Sequence, residues 1–120
     1  MIVKTRELSG RHLDYAVAKS LGYEIAYFDR KTSPIYINVD KNHFFVAFNP
    51  SKNGEQCDEF IKRYQIKFRK TKAGSFCAAS GLFDKGIGKG ATHLEAACRL
   101  IVSIIQGNEI DIPDGLVRKI

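Results

Sequence analysis

The chain of 120 residues has no tryptophan, one methionine, three prolines and three cysteines. Cys57, Cys77 and Cys98 are odd in number and far apart, so a disulfide framework is not expected and a reducing cytoplasm is. Each thiol lies among apolar neighbours and reads as a small buried hydrophobe. If one thiol were reactive, Cys77 beside a basic segment is the better placed, because a nucleophilic thiolate needs an electropositive, partly open setting. No C-x-x-C or H-x-x-x-H spacing joins the cysteines to His12, His43 or His93, so no metal site is expected. No apolar run approaches the roughly 20 residues that cross a bilayer. The opening from Met1 to Ser9 lacks the apolar stretch of a secretory signal. Ser9 and Ser103 have no G-x-S-x-G context, and no pair of acids stands out for acid–base work. These absences lead to the expectation of a cytoplasmic protein with no catalytic residues, no metal, no cofactor and no membrane partner.

What is present is an ordinary apolar content of 44% and a length suited to one domain over residues 1–120. A chain of this size buries roughly two-thirds of its unfolded surface, enough to fold without covalent staples. Helical spacing predicts three helices. In the first, over 9–22, Ser9 is the expected N-cap, Leu8 and Leu13 form a hydrophobic staple, and Gly22 is the stop. The second runs from about Glu55 to Tyr64, with Cys57, Phe60, Ile61 and Tyr64 on one face. The third follows a capping box of Thr92 and Glu95, runs through Leu94, Ala97, Cys98, Ile101, Ile104 and Ile105, and ends at Gly107.

Alternation and aromatic or β-branched content predict strands at Tyr23 to Phe28, Ile35 to Val39, His43 to Phe48, Gln65 to Lys70 and Ser75 to Ser80. The expected fold is α+β: an antiparallel sheet of short strands with three helices packed mainly on one face. Leu13, Val17, Phe60, Phe68, Leu94, Ile101 and Ile105 are the expected core. The tail after Pro113 is short and is expected either to lie on the surface or to pack as a last short segment.

Charge is segregated. Lys62, Arg63, Lys67, Arg69, Lys70, Lys72, Lys85 and Lys89 face a single acid, Asp84, between positions 62 and 89. That excess of +7 sits in a chain whose total is +6. Such a concentration attracts phosphates or an acidic protein face. The other reading is a solvated strand edge that keeps a sheet from aggregating. Gly86, Gly88, Gly90 and Ala91 loosely fit a G-x-G-x-x-A pattern before the third helix. A dinucleotide site would need a larger parallel sheet, which the remaining residues cannot complete. Two readings stay open for this segment: a phosphate held at the helix N-terminus with Lys85 and Lys89, or a flexible turn.

The order of a helix, three strands and a last helix resembles the double-stranded-RNA-binding domain in outline. Those domains hold phosphates with lysines at the start of the last helix. Here that position reads Ala91-Thr92-His93-Leu94-Glu95, with a glutamate and no lysine pair. A closer resemblance lies in Lys4-Thr5-Arg6-Glu7-Leu8-Ser9-Gly10, followed by Leu13-Asp14-Tyr15-Ala16-Val17-Ala18. This is similar to the opening of the NinX-like family of phage and prophage proteins, with Tyr15 where tryptophan is usual. Phe48-Asn49-Pro50-Ser51 is similar to the family's central segment. Its closing pattern is matched by Gly90, Thr92, Leu94, Ala96, Ala97 and Arg99, then Gly107, Glu109, Ile110, Ile112 and Pro113. The family carries no established activity, so the resemblance implies a small phage-encoded accessory protein. Together these observations favour a non-enzymatic protein that engages a host or defence protein, or a nucleoprotein complex, through its basic hairpin. Direct nucleic-acid binding by the same surface is the alternative.

Overall fold

The computed structural model describes residues 1–26, 35–38, 45–83 and 86–113. The chain starts with β1 (Ile2–Lys4) and a 3-10 turn (Thr5–Glu7), which lead into α1 (Gly10–Ser20). Three short strands follow, β2 (Glu24–Ala26), β3 (Ile35–Asn38) and β4 (Val46–Phe48), then α2 (Gly54–Arg63). A second run of strands, β5 (Ile66–Lys70), β6 (Phe76–Ser80) and β7 (Gly88–Gly90), precedes α3 (His93–Gln106) and β8 (Glu109–Asp111).

The fold is α+β with antiparallel strands, as the periodicities imply. The described strands fall into three small sheets, ordered β1-β8, β2-β3-β4 and β5-β6-β7. Three of the described strands lie outside the expected set. β1 and β8 pair Ile2 with Asp111, Val3 with Ile110 and Lys4 with Glu109, which brings the two ends of the described chain together. β7 falls inside the glycine-bearing segment for which a phosphate site or a flexible turn is expected. Positions 27–28, 39, 43–44, 84–85 and the tail from 114 lie outside the described residues, and with them the outer parts of three expected strands.

α3 is the central element. It packs against α1, α2, the 3-10 turn and two strands of the third sheet. Its buried face is Ala96, Ala97, Cys98, Leu100, Ile101 and Val102. Of the expected core, Leu13, Val17, Phe60 and Ile101 are 2% exposed or less, while Phe68 and Leu94 are partly buried against them. Ile105 does not belong to the core: it is 42% exposed. The apolar stripe turns outward in the last turn of α3, where none of the described residues buries Ile105. Cys57 on α2 and Cys98 on α3 are buried as expected, but Cys77 is only half-buried.

The helix ends show how local chemistry sets the boundaries. Thr92 Oγ1 accepts the Glu95 N–H at 3.1 Å. Glu95 reaches back to the Ala91 N–H at 3.3 Å, one residue before the cap, rather than to the cap's own N–H. Gly107, at φ +87°, closes the helix with its N–H on the Ser103 carbonyl. Ser9 sits at the N-cap of α1 but makes no side-chain capping bond. Leu8 and Leu13, at the staple positions, are both buried, so apolar contact secures that end. Asn53 caps α2, accepting from the Glu55 and Gln56 N–H groups.

Two segments that the family resemblance singles out meet in the interior. Asp14 on α1 is 4% exposed, and its Oδ1 accepts the Ser51 N–H at 2.9 Å. This bond anchors the Asn49-Pro50-Ser51 loop to α1. The loop is tied to α2 by the Asn49 N–H on Gln56 Oε1, and Gln56 in turn donates to the Ala47 carbonyl of β4. Rings continue the link: Phe48 lies edge-on to Tyr23 and to Phe60, at 5.8 and 6.0 Å between centroids.

A candidate binding face on the third sheet

β5, β6 and β7 form a meander with one face on α3. The register pairs Phe68 with Ala78 and Ala78 with Gly88. This row faces the helix. Ala78 is fully buried, and a Cβ added at Gly88 would stand 1.9 Å from the Ala96 carbonyl oxygen and 2.6 Å from the Leu100 nitrogen. At Gly90 an added Cβ would meet the Ala96 nitrogen at 2.8 Å. The two glycines let a strand lie directly on a helix backbone, a demand that side chains cannot meet. They make neither a flexible turn nor a dinucleotide loop. At the start of α3, Thr92 takes the Glu95 N–H of the first turn, and the Glu95 carboxylate takes the Ala91 N–H just before the cap.

Successive residues of a strand point to opposite faces, so the opposite face follows from the register. Arg69 pairs with Cys77, and Cys77 pairs with Lys89. Lys67 pairs with Ala79. The outer face therefore carries Lys67 and Arg69 on β5, Cys77 and Ala79 on β6, and Lys89 on β7. Lys67, Arg69 and Lys89 are exposed. Among the described residues none of the three makes an ion pair. Cys77 sits between Arg69 and Lys89, in the electropositive, half-open setting that sequence reasoning sought for a reactive thiol.

The other basic residues border this face or stand away from it. Lys70, at the end of β5, belongs to the helix-side row, paired with Phe76, and is exposed. Lys72 is exposed in the turn that Thr71, Gly74 and Ser75 close by hydrogen bonds. Lys62 and Arg63 lie on α2. Arg63 is engaged within its own helix, 2.7 Å from Glu59 and over the Phe60 ring. Lys85 lies outside the described residues.

Among the described residues no three His, Cys, Asp or Glu side chains gather as metal ligands would, and no helix is long and apolar enough to cross a membrane. Comparison with curated proteins returns no match. The family model described as "Bacteriophage P22, NinX" matches residues 4–104. That match spans α1, both strand runs with the basic face, and nearly all of α3, so the chain belongs to the NinX family of bacteriophage P22.

Proposed function

We propose that the protein is a non-catalytic phage accessory protein whose working surface is the outer face of the third sheet. Its partner is an acidic surface on a host or defence protein, or on a nucleoprotein complex, in the bacterial cytoplasm. The observation that carries this reading is the row of Arg69, Cys77 and Lys89 with Lys67 beside it. These cations share one exposed face, with small side chains between them. A flat face with small central residues and peripheral cations suits an opposing surface of negative charge. Lys70 and Lys72 extend the charge around the hairpin end, and Lys62 and Lys85 belong to the same basic segment.

The test is charge reversal. Lys67→Glu with Arg69→Glu should leave the fold intact, because exposed charges contribute little to stability. It should abolish nuclease-resistant capture of a defined host protein by the tagged chain. A double variant that keeps its fold and its full capture overturns the reading, and the row is then a solvated sheet face. One observation favours nucleic acid as a second reading. α2, β5, β6, β7 and α3 follow the order of a double-stranded-RNA-binding domain, with Lys70 and Lys72 at the first hairpin. In that case capture is nuclease-sensitive. Affinity for generic duplex then falls steeply with salt, with a slope that shrinks in the double variant.

A further inference from the structure

A second basic feature lies beside the third sheet. An open cleft of about 640 Å³ is bounded by the 3-10 turn, β7, α3 and the start of β8. Its charged lining is Lys4, Arg6, Lys89 and Arg99 against one carboxylate, Glu109. These residues come from segments up to 105 positions apart, so the cluster exists only in the fold.

Arg99 is held in place. Its Nε donates to the Leu8 carbonyl at 2.9 Å and Nη1 to the Lys89 carbonyl at 2.7 Å, while Nη1 also lies 3.0 Å from Glu95 Oε1. Nη2 has no acceptor among the described residues, and the side chain is only 17% exposed. A guanidinium fixed on one side and unspent on the other is preorganised for an external anion. Lys4 and Arg6 are exposed, and neither has an ion-pair partner among the described residues. Ser103 adds a hydroxyl to the lining. Ile87 is the apolar member and is 61% exposed.

We propose that this cleft binds a phosphate monoester, with Arg99, Lys4 and Arg6 on the phosphate and Ile87 against its organic part. A dianion suits a lining of four basic residues in which Glu95 already partners Arg99 and Glu109 is the one carboxylate in the lining itself. Arg99 offers its Nη2, and the exposed Arg6 guanidinium can grip phosphate oxygens in a pair. The volume lies within the roughly 300–1,000 Å³ of small-molecule sites, larger than a bare phosphate needs. A mononucleotide or the 5′-phosphorylated end of a strand supplies the same chemistry. The proposal does not depend on the partner face of the third sheet, with which the cleft shares only Lys89.

The experiment is a calorimetric titration of the full chain with five probes. These are inorganic phosphate, a nucleoside 5′-monophosphate, the bare nucleoside, and a short single strand with and without its 5′-phosphate. The monophosphate should bind saturably, at least about tenfold tighter than either phosphate or nucleoside alone. Lys4→Ala with Arg6→Ala, both at exposed positions, should weaken it by about tenfold or more without unfolding the chain. Lys67→Ala with Arg69→Ala should leave it unchanged, which separates this site from the sheet face. Tighter binding of the 5′-phosphorylated strand than of the mononucleotide assigns the source to a strand end, and the reverse order assigns it to a free nucleotide. Absence of saturable binding by every phosphate probe overturns the proposal. So does binding indifferent to the Lys4 and Arg6 substitutions, or equal for strands with and without the 5′-phosphate.

Discussion

Replacing Asp14 by asparagine should stabilise this protein at neutral pH and leave it nearly unchanged in mild acid. Asp14 is buried on α1, and burial pushes its carboxyl up from the usual 3.8 to about 6. The Ser51 N–H and hydroxyl and the nearby charge of Lys52 pull in the opposite direction without cancelling it. A rise of about two units at about 1.4 kcal/mol each amounts to roughly 3 kcal/mol between the two protonation states. The folded chain holds this proton more tightly than the unfolded chain does. Stability from the protonated carboxyl is therefore complete below pH 3.8 and is lost as pH rises toward about 6. Asparagine keeps an oxygen for the Ser51 N–H and cannot ionise. The Asp14→Asn variant should match the parent near pH 4 and exceed it by up to about 3 kcal/mol at pH 7.5. Urea denaturation followed by circular dichroism at both pH values measures the difference. Asp14→Ala is the control: it leaves the Ser51 N–H without its acceptor and should cost about 1–3 kcal/mol relative to asparagine at either pH. A gap between parent and Asp14→Asn that stays constant from pH 4 to 7.5, or that favours the parent at the higher pH, refutes the reasoning.

Gly88→Ala should destabilise by about 3 kcal/mol or more and Gly90→Ala by less, since only the former drives a Cβ to 1.9 Å from helix backbone. Equal and negligible effects in thermal melts would restore the loop reading of that segment. Ile101→Ala should cost about 2–5 kcal/mol, whereas Ile105→Ala should stay within about 0.5 kcal/mol, by denaturant midpoints at constant slope. Thr92→Ala should cost about 1 kcal/mol, and an unmoved midpoint would remove Thr92 from its capping role. Cys77 should be the thiol that a maleimide labels in the native chain, with Cys57 and Cys98 labelled only on unfolding. Equal labelling of all three by mass spectrometry would contradict their burial.

How much of this was legible in the sequence depends on the range of the interaction that decides each feature. α3 was readable because its cap, its apolar stripe and its closing glycine are local signals that agree. Ile105 was misplaced because periodicity says which residues share a stripe, not how far along the helix a neighbour covers it. Asn53 is of a preferred cap type, yet it does not stand out, because the whole Asn-Pro-Ser-Lys-Asn-Gly run has the composition of a turn. β7 had no strand signal at all. Gly-Lys-Gly is poor strand material, and its glycines answer to a helix backbone that the local sequence cannot announce. β1 and β8 are three residues each, too short to display a period, and their pairing joins opposite ends of the chain.

The same division holds for the candidate sites. Alternation alone puts Lys67 and Arg69 on one face, and the structure places both there, exposed. Lys89 joins them only through the β6–β7 register, and Cys77 comes to lie between two cations for the same reason. The cleft had no local signature. Lys4 and Arg6 lie in a segment of mixed charge, and Arg99 is a single cation among the apolar residues of α3, so nothing local joins the three. What unites them is the pairing of β1 with β8, which carries the start of the chain to the end of α3. Thr5 secures that junction, its hydroxyl donating to the Gly107 carbonyl at 2.7 Å and its N–H to the Asn108 carbonyl at 2.8 Å. The Lys-Thr-Arg opening, inside the matched residues 4–104, and the Asn-Glu pair beyond them thus meet in one wall of the cleft. Two ends that are far apart in the sequence form a single surface once the chain is folded.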